Sequence, residues 1–231
     1  MIVSSDRVLS NRPFNDAPIG IFDSGFGGLT VAREIAKELP EESIVYFGDT
    51  ARCPYGPRSQ DEVDGFVQQI CTWLVGRDVK LLVIACNTAT AAGLEHAQQR
   101  FSIPVIGAVI PGARAAARAT KNRRVGVIAT KGTVESGCYP QAIRNSRGPI
   151  EDLTSLASKV YIRPAFQEIA RDYLEPLRRC EIDTLVLGCT HYPMLKALIG
   201  GVIGHNVLLV SSAEEMAKEV RETLSMRGEL A

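Results

Sequence analysis

No charge of either sign is in excess in this chain. Its 231 residues carry 26 Lys and Arg against 26 Asp and Glu, which leaves no electrostatic footprint for a nucleic acid or an anionic membrane surface. Nothing approaches the run of about eighteen apolar residues that a membrane span needs. The opening stretch, MIVSSDRVLSNRPFNDAP, lacks the apolar centre of a secretion signal. The six cysteines, Cys53, Cys71, Cys86, Cys138, Cys180 and Cys189, form no CxxC pair and have no zinc-ligand spacing with the three histidines. These absences predict a cytoplasmic protein with free thiols, no metal, no nucleic-acid partner and no membrane association.

What is present is an ordinary globular composition, 45% apolar and 23% charged, which excludes collagen-like, coiled-coil and disordered chains. Short apolar runs alternate with helical patterns, which predicts an α/β fold with mostly parallel strands buried under helices on both faces. The expected strands are Pro18–Phe22, Ser43–Phe47, Lys80–Ala85, Pro104–Val109, Arg124–Ala129, Asp183–Leu187 and Asn206–Val210. Leu29, Ala32, Ile35, Ala36 and Leu39 keep helical spacing up to Pro40, and Ser59-Gln60-Asp61-Glu62 opens the next helix as a capping box. Phe166, Ile169, Ala170 and Tyr173 mark a helix that Pro176 is expected to end or kink.

The chain echoes itself. Ile19-Gly20-Ile21-Phe22 resembles Val125-Gly126-Val127-Ile128 at an offset of 106, and Val83-Ile84-Ala85-Cys86-Asn87-Thr88 resembles Val186-Leu187-Gly188-Cys189-Thr190-His191 at 103. Val105-Ile106 and Val207-Leu208 continue the series at 102. Matches at nearly one offset predict two similar α/β halves, related by a pseudo-twofold axis with a cleft between them. The expected division is a disordered tail over 1–17, a first domain of 18–108 plus 212–231, and a second of 109–211.

Cys86 and Cys189 stand at equivalent places in the echo, each at the carboxyl end of a buried strand and just before a helix, where α/β folds bind ligands. A helix N-terminus lowers a thiol's pKa and favours the thiolate. Alone, either cysteine reads as a small buried hydrophobe; as a matched pair across a cleft, one thiol can take a proton from one face of a carbon while the other supplies a proton to the opposite face. Asp23 and His191 are the groups expected to set the protonation of Cys86 and Cys189 respectively. The loop Phe22-Asp23-Ser24-Gly25-Phe26-Gly27-Gly28 also suggests a dinucleotide site, with Asp49 where a ribose-binding acid belongs, although Thr30 replaces the third glycine.

Gly20-Ile21-Phe22-Asp23-Ser24-Gly25-Phe26-Gly27-Gly28-Leu29, Tyr46-Phe47-Gly48-Asp49-Thr50-Ala51-Arg52-Cys53-Pro54-Tyr55-Gly56, Ala85-Cys86-Asn87-Thr88-Ala89 and Leu187-Gly188-Cys189-Thr190-His191-Tyr192-Pro193 resemble, in order, the signature blocks of bacterial glutamate racemases. The resemblance implies cofactor-independent interconversion of L- and D-glutamate, supplying D-glutamate for peptidoglycan, by a homodimer. It implies Cys86 and Cys189 as the acid/base pair, supported by Asp23 and His191. It also implies Asp23, Ser24, Tyr55, Gly56, Asn87, Thr88, Thr190 and His191 as substrate contacts, with Thr130 as a further one. Between Ile128 and Asp183 the chain is shorter than that family's pattern and lacks its Cys-Pro segment, with Glu168 the nearest acidic candidate. The alternatives are a cofactor-free racemase for aspartate or hydantoins, a single-thiol decarboxylase, a nucleotide-binding module and a non-enzymatic binding protein.

Overall fold

The computed structural model describes residues 16–147, 152–158 and 166–231; the tail expected over 1–17 falls outside them except for its last two residues. Strands β1 (Ile19–Asp23), β2 (Ile44–Gly48), β3 (Leu81–Ile84) and β4 (Val105–Gly107) form one sheet. Strands β5 (Arg124–Thr130), β6 (Asp152–Ser158), β7 (Thr184–Gly188) and β8 (Leu208–Ser211) form the other. The strand orders are β2-β1-β3-β4 and β6-β5-β7-β8, with every pairing parallel. Adding four to each strand number converts the first sheet into the second, so the sequence echo between β1 and β5, β3 and β7, and β4 and β8 is an echo of topology.

Helices α1 (Leu29–Glu38), α2 (Gln60–Val75), α3 (Asn87–Arg100) and α4 (Val109–Ala119) follow β1 to β4. In the second half, α5 (Lys131–Glu135) and α6 (Cys138–Arg147) follow β5, α7 (Phe166–Arg179) follows β6, α8 (Lys196–Ile203) follows β7, and α9 (Ser212–Arg227) closes the described chain. Ser59 caps α2, its side chain accepting from the Glu62 amide at 3.2 Å, as the capping box requires. Pro176 does not end its helix: α7 runs on to Arg179.

Side chains alternate between the faces of each sheet, as the period of two dictates. Ile19, Ile21, Leu81 and Val83 pack with Val31 and Ile35 of α1 and with Met216, Val220 and Leu224 of α9. Phe22, Leu82 and Ile84 pack on the other face with Val63, Val67 and Ile70 of α2 and Ala97 of α3. Thus α9, last in sequence, belongs to the core of the first sheet. In the second half, Val125, Val127 and Val186 meet Ala113 and Ala116 of α4 and Tyr139 and Ile143 of α6, while Leu185 and Leu187 meet Leu174 and Leu177 of α7.

The strand that the apolar pattern does not reveal is β6. It sits at the edge of its sheet, and its sequence, DLTSLAS, alternates weakly. An edge strand is exempt from the two-sided burial that makes inner strands continuously apolar.

Candidate active site

All strands of each sheet point the same way, so the loops after β1, β3, β5 and β7 gather at one edge of each sheet. The side chains delivered there are Asp23 and Ser24, Cys86, Thr130, and Cys189. Cys86 is the N-cap of α3: its sulfur accepts from the Ala89 amide at 3.5 Å, and its thiol donates to Ser24 Oγ at 3.6 Å. Cys189 lies 3.5 Å from His191 Nδ1. Both thiols are buried, at 5% and 9% exposure.

The loops of the two halves touch through named polar contacts. Thr190 Oγ1 donates to Asp23 Oδ1 at 3.1 Å, and Tyr139 Oη donates to Asn87 Oδ1 at 2.6 Å. Thr88 Oγ1 and Thr130 Oγ1 share a hydrogen bond at 2.8 Å, and the Gly132 amide donates to the Gly56 carbonyl at 3.2 Å. A third hydroxyl, Thr133, stands 3.0 Å from Thr130 and 3.4 Å from Thr88. Sequence inspection missed Thr133 and Tyr139. The available signal for the first was its position three residues after Thr130, one turn along a helix; no local signal points to the second.

The structure places all eleven expected residues in this region, with Tyr55 in the same buried cluster as Cys86. The Tyr55 ring is buried against Phe66 with centroids 5.4 Å apart, and its hydroxyl donates to Asp49. The neighbouring Gly56 instead carries the contact to the second half: a Cβ there would lie 3.0 Å from Thr130 Cβ. Asp49 is equally committed, with Arg52 Nε at 2.6 Å and the Tyr55 hydroxyl on the same oxygen. That removes the ribose-binding acid from the dinucleotide alternative. One glycine of the β1 loop serves packing between halves: a Cβ on Gly27 would meet Thr190 Oγ1 at 2.4 Å and His191 at 3.0 Å. The side chain of Glu168 lies outside the described residues.

The electrostatics reverse one expectation. The helix N-terminus and the Ser24 contact pull the Cys86 thiol down, but burial and the nearby Asp23 carboxylate outweigh them and push it up to about 11. Cys189 is pushed up to about 12, by burial first and then by the charges of Cys86 and Asp23, against a hydrogen bond from the His191 backbone amide. Burial also raises Asp23, opposed by the amides of Gly25 and Gly28, the charge of His191 and the Thr190 hydroxyl. Asp23 therefore acts on both thiols through its charge, while its hydrogen bonds go to Gly25 and Thr190. At neutral pH both thiols are thereby held neutral.

A groove of about 860 Å³ between α3, α4 and α6, lined by Leu94, Gln98, Ile110, Arg114, Cys138 and Asn145 among others, contains none of these residues. Among the described residues, no group of three or more His, Cys, Asp and Glu is placed to hold a metal ion, and no helix is long and apolar enough to cross a membrane.

Known proteins carry the same arrangement of chain. A glutamate racemase of Exiguobacterium sibiricum is 48% identical over 219 residues, covering 91% of this chain and 80% of that protein. One from Geobacter metallireducens is 52% identical over 216 residues, covering 89% and 79%. Among solved structures, a glutamate racemase isoform of Bacillus anthracis superposes with a TM-score of 0.88 at 44% identity, covering 94% of this chain and 85% of that one. A Francisella tularensis glutamate racemase in complex with D-glutamate gives 0.87 at 32% identity, covering 94% and 84%. The family model described as Asp/Glu/Hydantoin racemase matches residues 20–220, and the chain belongs to that family.

Proposed function

We propose that this chain interconverts L- and D-glutamate by two-thiol acid/base chemistry, supplying D-glutamate for peptidoglycan. The observation that carries the mechanism is the equivalence of Cys86 and Cys189. They end the corresponding strands β3 and β7 of two sheets with the same strand order, and the loops around them are joined by the Asp23–Thr190 and Thr88–Thr130 hydrogen bonds. The glutamate racemases of similar sequence, and the D-glutamate complex of one structural relative, support the choice of substrate.

In the proposed reaction the thiolate of one cysteine takes the α-proton, breaking the C–H bond and leaving its electron pair on the α-carbon. The neutral thiol on the other face then delivers its own proton to that carbon and becomes the thiolate for the reverse direction. By family resemblance, Cys189 acts on the L-enantiomer and Cys86 on the D-enantiomer. His191 and Asp23 bias the protonation of the pair. The hydroxyls of Ser24, Thr88 and Thr130, the amide of Asn87 and the backbone at Gly56 and Thr190 are suited to hold two carboxylates. Hydrogen bonds to a charged group contribute about 1.5–3 kcal/mol each, so a substrate one methylene shorter loses much of that energy. The same reading divides the chain into a first domain of 18–108 plus 212–231 and a second of 109–211, and carries with it a cytoplasmic homodimer.

Loss of optical rotation from pure L-glutamate, with excess EDTA and no added cofactor, tests the activity. Glutamate is expected to turn over much faster than aspartate. Equal specificity constants would overturn the substrate assignment, and inactivation by chelator with recovery on adding metal would overturn the cofactor-free mechanism.

A further inference from the structure

Tyr139 is a buried tyrosine outside the set of residues assigned above, and it reaches from one half of the molecule into the other. It is the second residue of α6, its ring inside the core formed by β5, β7 and α4. Small residues make its place: a Cβ on Gly188 would lie 3.1 Å from Tyr139 Cε2, and one on Gly112 would lie 3.3 Å from its hydroxyl. From that slot the phenol donates to Asn87 Oδ1 at 2.6 Å, a residue immediately after Cys86 at the start of α3.

Asn87 is itself 2% exposed, and its Nδ2 is buried without a hydrogen-bond partner. A buried amide nitrogen left without an acceptor costs about 1–3 kcal/mol. It persists where a ligand completes it or where the alternative is worse. Turning the amide over would take the acceptor away from the phenolic proton. It would also present the amide oxygen, not the NH2 group, to a carboxylate bound beside Cys86. The phenol therefore selects the orientation in which Asn87 is a donor toward the site.

We infer that Tyr139 is a positioning residue that locks the Asn87 amide with its NH2 group toward a substrate carboxylate, so that the second half of the chain sets the hydrogen-bonding polarity of the first half's binding loop. This rests on the proposal that Asn87 contacts glutamate. It predicts a defect of binding, not of folding, when the hydroxyl alone is removed.

The experiment compares wild type, Y139F, N87A and Y139F/N87A for kcat and KM in both directions, with Tm measured on each. Y139F keeps the ring that fills the slot and is expected to fold. Its kcat/KM for glutamate is expected to fall about tenfold, mostly through KM, the size of one hydrogen bond to a charged group. The double variant is expected to be no worse than N87A, because the phenol acts only through that amide. Should Y139F fail to fold, the same inference is read from N87D, whose carboxylate still accepts from the phenol but offers no donor to the substrate, and whose KM is expected to rise at least as far as that of N87A; an unchanged KM there overturns the inference. A Y139F variant with unchanged KM, or effects of Y139F and N87A that multiply, overturns the inference while leaving the racemase reading intact. A wild-type chain that does not racemise glutamate overturns that reading and this inference with it.

Discussion

Thr190 Oγ1 and Asp23 Oδ1 are 3.1 Å apart although 167 residues separate them in sequence. The bond ties the loop after β7 to the loop after β1, and both partners are buried. Its donor is committed: Thr190 gives its proton to Asp23, so toward a substrate carboxylate that hydroxyl has no second proton to offer. Its role in the proposed site is to hold Asp23 and the Cys189 loop in register.

Gly27 is what lets those loops approach. A methyl group there would sit 2.4 Å from Thr190 Oγ1, so Gly27→Ala is expected to push the Cys189 loop away and lower kcat/KM by about a hundredfold, given how steeply catalysis depends on alignment. Steady-state kinetics check it. Wild-type kcat/KM in this variant would show that the contact is not needed for alignment.

Replacing either thiol is expected to abolish racemisation, because each direction uses both an acid and a base. In D2O, early D-glutamate formed from L-glutamate is expected to carry deuterium at the α-carbon while the remaining L-glutamate stays protiated, as read by NMR or mass spectrometry. Near-normal turnover by Cys86→Ala or Cys189→Ala, or retention of the original hydrogen in early product, would contradict the two-thiol mechanism.

Because burial lifts Cys86 to about 11 and Cys189 to about 12 from the ordinary 9.0, both are protonated at neutral pH in the free protein. Alkylation by iodoacetamide, which needs the thiolate, is expected to rise about tenfold per pH unit from 7 to 9 at both sites, followed by peptide mass spectrometry. A rate already flat at pH 7 would mean that the thiolates are formed. The sign for stability follows: below the unfolded thiol value the contribution is fully present, and it is lost as pH climbs from 9 through 11 to 12, because the unfolded chain releases these protons first. Tm is expected to fall across that window.

Thr88 and Thr130 bring one hydroxyl from each half to within 2.8 Å. Thr130→Val retains the shape and removes the hydroxyl, and KM for glutamate is expected to rise about tenfold, the weight of one hydrogen bond to a carboxylate. Thr133→Val tests the hydroxyl that supports both, and a smaller effect is expected there. Unchanged KM in Thr130→Val would remove Thr130 from the carboxylate contacts.

Much of the fold was legible because inner parallel strands must be apolar on both faces. The runs around Ile21, Val83, Val127 and Val186 could hardly be anything else, and the repeat offsets between them carried the duplicated topology. Helix starts at Ser59 and Cys86 were equally local, since a cap bonds an amide only three residues ahead. The edge strand β6 and the passage of α7 through Pro176 were not legible: an edge position permits a polar strand, and β6, unlike the edge strands β2, β4 and β8, has polar residues at four of its seven positions, while tertiary packing overrides a local helix breaker.

By itself the sequence determined the residues available for chemistry: two cysteines in matching strand-end positions, a glycine loop, and hydroxyl and amide groups beside each thiol. The tertiary structure decided what those residues do to one another. It committed Asp49 to Arg52 and Tyr55, turned Thr190 toward Asp23, set Tyr139 against Asn87 and raised both thiols, Cys86 against the pull of its own helix N-terminus. The reason is range. Strand period and helix capping act within a few residues, whereas desolvation and the hydrogen bonds between the halves depend on groups 50 to 170 positions apart, which only the closed packing of two sheets brings within about 3 Å.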